Sequence, residues 1–271
     1  MMRPNPRTII CTLIASVLLS ACNATEGKHL AAPGTGNWIS LFNGKDLDGW
    51  TVKISGHDLE DNYGNTFRVK DGVLQVSYDK YGPFGRQFGS IYTQKAFSNY
   101  WLHVEYRIVG VQAPGSPDFS SSNSGIEFHS QAPENMTKDQ EFPISLEMNL
   151  IAGGRLRTRR TGDVCRNSTR VLLNGKALED KCGTTSMVGV RGNTWVTAEA
   201  EVHGGDSIKF YINGTQVAEA TQLELDDSDP IGAHKLNEGA VKKLSEGRIS
   251  LQSEGNPVEF RRIEVLPLDV R

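Results

Sequence analysis

Apolar and polar residues alternate with a period of two along most of this chain, in short runs that end at turns rich in Gly and Asn. Such alternation is typical of strands with one buried face. It is clearest at residues 67–69, 72–76, 102–108, 125–129, 144–150, 194–202, 208–212, 247–254 and 260–265. Asn213-Gly214 stands in a hairpin position, and only 235–245 has a pattern that suits a short helix. With no repeat of fixed period, the pattern predicts one all-β domain, a sandwich or a barrel.

The N-terminus begins with a basic leader and an apolar run too short to span a bilayer comfortably, which is typical of a signal peptide. The run ends in Leu-Ser-Ala-Cys at 19–22, which resembles the lipobox of bacterial lipoproteins, where the cysteine is lipidated and becomes the new N-terminus. We therefore predict a lipoprotein signal peptide at 1–21 and lipidation at Cys22. The alternative is ordinary cleavage that leaves Cys22 as a free thiol.

Residues 22–37 are small, polar and bear Gly and Pro, and we predict that they tether the lipid to a folded domain at 38–271. A protein of this kind lies in the periplasm or at the cell surface and contacts the membrane through its lipid anchor. Asn23 follows the lipidated cysteine, where aspartate commonly signals retention in the inner membrane of enteric bacteria. The sequence therefore favours the outer membrane.

Two cysteines remain once Cys11 is removed with the leader and Cys22 is lipidated. Cys165 and Cys182 would then meet in an oxidising compartment, which predicts a disulfide between them. A zinc site is the alternative, but the two residues form no CxxC and have no histidine nearby.

The charges of the chain argue against a nucleic-acid partner. The formal net charge is −3, and Lys and Arg are scattered without a recurring basic stripe. Proteins that bind nucleic acid concentrate such residues to neutralise phosphates.

Alternation also assigns polar side chains to strand faces, since residues two apart share a face. These sets are His103, Glu105 and Arg107; Glu127 and His129; Ser145, Glu147 and Asn149; and Ser250, Gln252 and Glu254. If the strands share a sheet, its polar face resembles a sugar-binding surface, and clustered carboxylates raise one another's pKa. The long segments 111–124 and 130–143 would border it. The alternative is that these side chains simply face water.

Glu147 does not begin the Glu-x-Asp-x-x-Glu motif of some retaining glycanases of sandwich fold. Asn149 and Ala152 stand where that motif has its second and third carboxylates. Double displacement needs two carboxylates, so this chemistry is not expected at this strand.

Several segments resemble the 3-keto-disaccharide hydrolase domain family. They are LFNGKDLDGW at 41–50, FRVKDGVL at 67–74, VEYR at 104–107, NSGI at 123–126, HSQ at 129–131, FPISLE at 142–147 and LQSEGNPVEFR at 251–261. The resemblance runs from about residue 38 to 268. It implies a concanavalin-like two-sheet jelly roll and action on glycosides that are oxidised at C3 of the sugar.

The resemblance also implies roles for individual residues, because a 3-keto group acidifies the hydrogen at C2 and a base can then drive elimination of the C1 substituent. Glu147 and Glu105 are candidate bases or acids, and His129 is a candidate proton shuttle. Candidates for binding substrate oxygens are Arg107, Asn149, Gln252 and Glu254. Glu127 and Arg262 depart from the family, which usually has an apolar residue and an asparagine there.

The predicted function is hydrolysis of glycosides, specifically 3-keto-glycosides. The alternatives are a non-catalytic carbohydrate-binding lipoprotein and a structural lipoprotein of the envelope, since fold does not determine function. No cofactor is predicted. Carboxylates together with His129 have the chemistry to hold a divalent cation, although no spacing requires one.

Overall fold

The alternating segments form β-strands throughout the part of the chain described by the computed structural model, residues 36–153, 160–185 and 190–269. The strands are β1 (Ile39–Ser40), β2 (Trp50–Ile54), β3 (Phe67–Lys70), β4 (Val73–Val76), β5 (Gly89–Thr93), β6 (Asn99–Ile108), β7 (Asn123–Ser130), β8 (Ser145–Gly153), β9 (Val164–Asn167), β10 (Thr169–Leu173), β11 (Lys176–Ala177), β12 (Cys182–Gly183), β13 (Val190–Arg191), β14 (Val196–His203), β15 (Ser207–Ile212), β16 (Thr215–Leu225), β17 (Arg248–Ser253) and β18 (Val258–Pro267). The helices are α1 (Pro230–Asn237) and three 3₁₀ turns at Tyr63–Asn65, Asp118–Ser120 and Pro133–Asn135.

The strands form two sheets. The front sheet has the order β12-β9-β8-β7-β17-β5-β2, and β13 adds to β8 in parallel. The back sheet has the order β11-β10-β16-β15-β14-β6-β18-β4-β3, and β1 pairs with β18. All pairings except that of β13 are antiparallel, so the predicted all-β, concanavalin-like two-sheet jelly roll is confirmed.

The core lies between the two sheets and is built from alternate residues of each strand. Phe128 of the front sheet meets Phe210 of the back sheet with ring centroids 5.3 Å apart. Leu146 and Met148 on β8 and Val104 on β6 are fully buried there. Each such side chain contributes about 1.5–3 kcal/mol by leaving water. Because this burial determines which face of a strand turns inward, the residues between them point to the outer faces.

The predicted disulfide is confirmed, because Cys165 on β9 and Cys182 on β12 are bonded with an S–S distance of 2.06 Å. The two cysteines are also direct partners in the β9–β12 pairing. The bond therefore secures a two-residue edge strand to the front sheet.

The single α-helix found in the described residues, Pro230–Asn237, begins five residues earlier than predicted, so the expected helix at 235–245 is wrong. Asp229 accepts hydrogen bonds from the amides of Ile231 and Gly232, which satisfies the first turn. Pro230 suits the first helical position. Gly239 has φ of 90°, a left-handed conformation that ends the helix.

The predicted signal peptide at 1–21, the lipidation site Cys22 and nearly all of the tether at 22–37 lie outside the described residues. The division into leader, tether and domain at 38–271 therefore stays a prediction. In the described segments, no helix has the length and apolar character needed to cross a membrane.

Candidate functional site

Two glutamates face each other on the outer face of the front sheet. Glu127 on β7 and Glu147 on β8 are direct partners in the antiparallel register. Ser250 on β17 lies opposite Glu127 on its other side, and Cys165 lies opposite Glu147. Alternation turns Phe128 and Leu146 inward, so both carboxyl side chains lie on the outer face.

Gly125 provides the space in which the next side chains meet. A Cβ atom at this position would lie 2.5 Å from Oε1 of Gln252 and 2.8 Å from Oε1 of Glu147. Real Cβ contacts of this length essentially never occur. Glycine therefore allows the ends of these two side chains to converge above β7.

Glu127 is completely buried and accepts three hydrogen bonds. The donors are Ser250 Oγ at 2.5 Å, Ser90 Oγ at 2.9 Å and Gln252 Nε2 at 3.2 Å. Burial raises the pKa of Glu127 to about 7, with a further contribution from the charge of Glu147, and the three donors only partly oppose this. Glu127 therefore titrates near neutrality rather than as an ordinary surface carboxyl.

Glu147 is 4% exposed and lines an open cleft. Burial raises its pKa, while a hydrogen bond from Asn167 Nδ2 at 3.2 Å and the charge of Lys181 act in the opposite direction. Lys181 Nζ in turn donates to Oδ1 of Asn167. The net effect is a raised pKa, so Glu147 keeps its proton to a higher pH than an exposed glutamate does.

The cleft has a volume of about 610 Å³ and combines polar and aromatic walls. Asn123 Nδ2 donates to Glu254 Oε2 at 2.6 Å, which holds both side chains at one wall. Phe119, from the predicted loop at 111–124, is 49% exposed and stacks on Phe88 with centroids 5.9 Å apart. The remaining lining residues are Phe142, Glu147, Asn149, Ile151, Arg160, Asp163, Cys165, Asn167, Lys181, Cys182 and Thr184. Aromatic rings beside amides and carboxylates match the mixed surface of a sugar ring.

The structure brings together four of the predicted site residues. Glu147 and Asn149 on β8 and Glu254 after β17 line the cleft, and Gln252 lies beneath it beside Glu147. Asn149 Nδ2 also contacts Cys165 Sγ at 2.8 Å. The predicted common face is therefore correct for β8 and β17.

Glu105 and Arg107 do not belong to this face, so the idea that all the polar strand faces share one sheet is wrong. Both lie on β6, which pairs with β14 and β18 in the back sheet. Glu105 accepts from Arg261 at 2.6 Å. Arg107 pairs with Glu259, and its guanidinium lies 4.6 Å from the ring centroid of Trp195. The core separates them from Glu147, because they point outward from the opposite sheet.

His129 also departs from the predicted face, although only one residue separates it from Glu127. Its φ is 47°, and the register with β17 shifts between Arg248 and Ser250, so β7 bulges here. The buried ring donates from Nε2 to the carbonyl of Gly204 at 2.8 Å, and burial lowers its pKa. His129 borders a separate cavity of about 410 Å³.

Some residues of the site were not predicted. Asn167 lies on β9, a strand too short to stand out by alternation, and Lys181 is exposed in a turn next to Cys182. Glu127 was assigned to a polar face but given no role. Its departure from the usual apolar residue was the signal that could have identified it.

No metal site is assembled in the described residues, where no three or more His, Cys, Asp or Glu side chains are grouped closely enough to hold an ion. The sequence left open a divalent cation held by carboxylates together with His129. These groups do not come together, because the His129 ring turns away toward the carbonyl of Gly204.

Residues 37–266 match the family described as "3-keto-alpha-glucoside-1,2-lyase-like domain". The chain belongs to this family. The match spans both sheets and every strand that lines the cleft. The chain is therefore a jelly-roll domain of the 3-keto-alpha-glucoside-1,2-lyase-like family.

Solved structures with a similar fold include proteins connected with carbohydrates. A candidate glycosyl hydrolase from Parabacteroides distasonis has 19% identity and a TM-score of 0.49, with coverage of 86% of this chain and 94% of the other. The carbohydrate-binding module CBM66 from Bacillus subtilis has 14% identity and a TM-score of 0.48, with coverage of 79% and 93%. A β-glucanase from Bacillus licheniformis has 12% identity and a TM-score of 0.48, with coverage of 88% and 100%. No curated protein matches the sequence.

Proposed function

We propose that this protein is an enzyme that cleaves 3-keto-glycosides by elimination across C1 and C2, followed by addition of water. The observation that carries the proposal is the buried carboxyl of Glu147, which lies in the lining of the cleft with a raised pKa. Family membership supports the same chemistry.

The reaction begins at C2, where the neighbouring ketone makes the hydrogen acidic. The Glu147 carboxylate takes this proton, and the C–H electrons form an enolate. The enolate then forms the C1–C2 double bond and expels the C1 substituent with the electrons of the C1–O bond, and the departing oxygen takes up a proton. Water adds a hydroxyl to C1 and a proton to C2, which yields the 3-keto sugar and a free alcohol.

The other side chains of the cleft are assigned to binding. We assign the Asn149 amide and the Lys181 ammonium, which both line the cleft, to donation toward the oxygen that gains charge in the enolate. Such donors stabilise that charge most strongly where water is excluded. Asn123 and Glu254 suit sugar hydroxyls, because they offer a fixed amide and a fixed carboxylate. The ring of Phe119 suits the apolar face of the sugar.

The test is to incubate the purified mature protein with a 3-keto-glucoside and with its unoxidised parent, with and without chelator, and to follow aglycone release. We expect release from the keto substrate only. Glu147→Gln should abolish it, whereas Glu105→Gln makes the same chemical change on the back sheet and should leave the rate unchanged. Full activity of Glu147→Gln would overturn the assignment, and the chelator arm reports whether a metal takes part.

A non-catalytic carbohydrate-binding protein is the second candidate. It is favoured by the half-exposed Phe119 at the edge of the polar cleft, since an exposed aromatic ring suits sugar binding without chemistry. Measurable binding of the keto sugar without turnover in wild-type protein would favour this function over the first.

We also propose that the chain is exported and held at the outer membrane by a lipid on Cys22. The support is the leader sequence at 1–21 and the small residues before the cysteine. Labelling cells with a fatty-acid analogue should mark the wild-type protein and not Cys22→Ser. A labelled Cys22→Ser variant would contradict the proposal.

A further inference from the structure

Glu127 is a buried carboxyl for which substrate binding provides no role. It lies beneath the cleft and is absent from its lining, yet it is the direct cross-strand partner of Glu147. Its side chain is fully enclosed by the hydroxyls of Ser90 and Ser250 and the amide of Gln252. A carboxyl at such a position is costly to ionise unless a positive charge lies nearby.

Gln252 connects the two carboxyls. Its Nε2 donates to Oε1 of Glu127, and its Oε1 is buried without a hydrogen-bond partner in the described residues. The position that a Cβ atom on Gly125 would occupy lies within 3 Å of this Gln252 oxygen and also within 3 Å of Oε1 of Glu147. A buried acceptor normally has a donor, and a proton on Glu147 would provide one.

The charges around the pair do not neutralise two carboxylates. Lys181 reaches Glu147 through Asn167, whereas the donors to Glu127 are all neutral. The ionisable groups that line the cleft together with Glu147 are Glu254 after β17, Asp163 and Arg160 before β9, and Lys181 before β12. Tyr92 on β5 lies close enough to Glu127 for their charges to interact. Arg160 donates to the carbonyl of Thr185. Two ionised glutamates in adjacent positions would therefore repel each other inside a poorly solvated site.

We propose that Glu127 and Glu147 hold a single proton between them around neutral pH, with the Gln252 amide between the carboxyls, and that Glu127 is a positioning residue. The catalytic consequence rests on the proposed function. Glu147 takes the C2 proton while Glu127 is neutral, so both carboxyls are then protonated. One proton passes from Glu147 to the departing oxygen, and the pair again holds one.

The shared proton can be measured without any substrate. Protein labelled with ¹³C at the glutamate side-chain carboxyls is titrated by NMR, and the two signals are assigned with Glu127→Gln and Glu147→Gln. In wild type both signals should report the same two steps, because interacting groups titrate as a pair. In each variant the remaining glutamate should titrate in one step. The pKa of that step should lie at least one unit below the wild-type step at higher pH, which means that the proton is bound at least tenfold more weakly.

Glu105→Gln is the matched control and should move neither signal. Each of the two glutamine variants reports the coupling on its own. The test therefore still gives an answer if one of them fails to fold. Independent single-step titrations in wild type, or an unshifted remaining glutamate in a folded variant, would reject the shared proton.

The activity readout separates this inference from the proposed function. With a 3-keto-glucoside, Glu127→Gln should lower kcat at least tenfold with little change in KM, and the bell-shaped pH profile should lose one limb. A structural role alone would leave both limbs in place. If wild type shows the coupled titration but no turnover, the proposed function fails while the shared proton stands.

Discussion

Lys181 donates a hydrogen bond to Oδ1 of Asn167 at 2.5 Å, and the Nδ2 atom of the same amide donates to Glu147. An exposed ammonium on a turn is thereby connected to a buried carboxyl through one side chain. The charge of Lys181 lowers the pKa of Glu147, against the larger effect of burial.

Lys181→Met should therefore raise the pKa of Glu147 and reduce the fraction of carboxylate at neutral pH. We expect kcat/KM for a 3-keto-glucoside to fall several-fold at pH 7, and the acidic limb of the pH profile to move to higher pH. Lys138→Met is the control, because Lys138 pairs with Asp58 on the surface and is absent from the cleft lining. A limb that stays in place would show that Lys181 does not act on Glu147.

Gly125→Ala should disturb the site while the protein remains folded. The added Cβ would meet the ends of the Gln252 and Glu147 side chains, which can turn aside, rather than backbone. Displacement of a catalytic carboxyl by about 1 Å costs on the order of 100-fold in rate, so turnover should fall by at least tenfold with circular dichroism unchanged. Gly82→Ala is the control, since a Cβ there meets nothing within 4 Å. Wild-type turnover in Gly125→Ala would contradict the convergence of the two side chains.

The stability of the protein should fall as pH rises through neutrality. The pKa of Glu127 is about 7 in the folded protein and about 4.3 in an unfolded chain. The folded state therefore binds more protons between these values, and the free energy of unfolding decreases as pH rises from about 4.3 to 7.

The difference of pKa between the folded and unfolded states corresponds to about 4 kcal/mol for Glu127. Urea unfolding of wild type and Glu127→Gln from pH 4.5 to 8 measures it. We expect the wild-type free energy of unfolding to decrease more steeply across this range than that of the variant. Parallel curves would mean that Glu127 titrates at an ordinary pKa.

The disulfide should stabilise both the fold and the cleft. The cysteines are 17 residues apart, and closing a loop of this size contributes about 3 kcal/mol to the free energy of unfolding. Replacement of both Cys165 and Cys182 by Ser should lower the unfolding free energy by about this amount in denaturant titrations. Reducing agent should destabilise wild type and leave the double variant unchanged. Equal sensitivity of the two proteins would contradict a structural role for the bond.

Much of the candidate site could be predicted because its residues obey the strand period. Glu147 and Asn149 share a face on β8, and Gln252 and Glu254 follow the same rule around β17. Glu105 satisfied the same rule and was wrongly placed, because alternation assigns a side chain to a face and says nothing about which sheet the strand joins. The prediction that His129 shares a face with Glu127 was wrong for a local reason, because a bulge in β7 interrupts the alternation after Glu127.

The sequence by itself determined the strands with clear alternation, their buried faces, the cysteine pair and the family, since these depend on neighbouring residues, composition or extended motifs. It did not reveal β2, β9, β10 or β16. Only the tertiary structure decided that Glu127 and Glu147 are cross-strand partners and that β6 lies across the core from them. The physical reason is that sheet order and register arise from hydrogen bonds between segments far apart in the chain. β6 at Asn99–Ile108, for example, is held between β14 at Val196–His203 and β18 at Val258–Pro267.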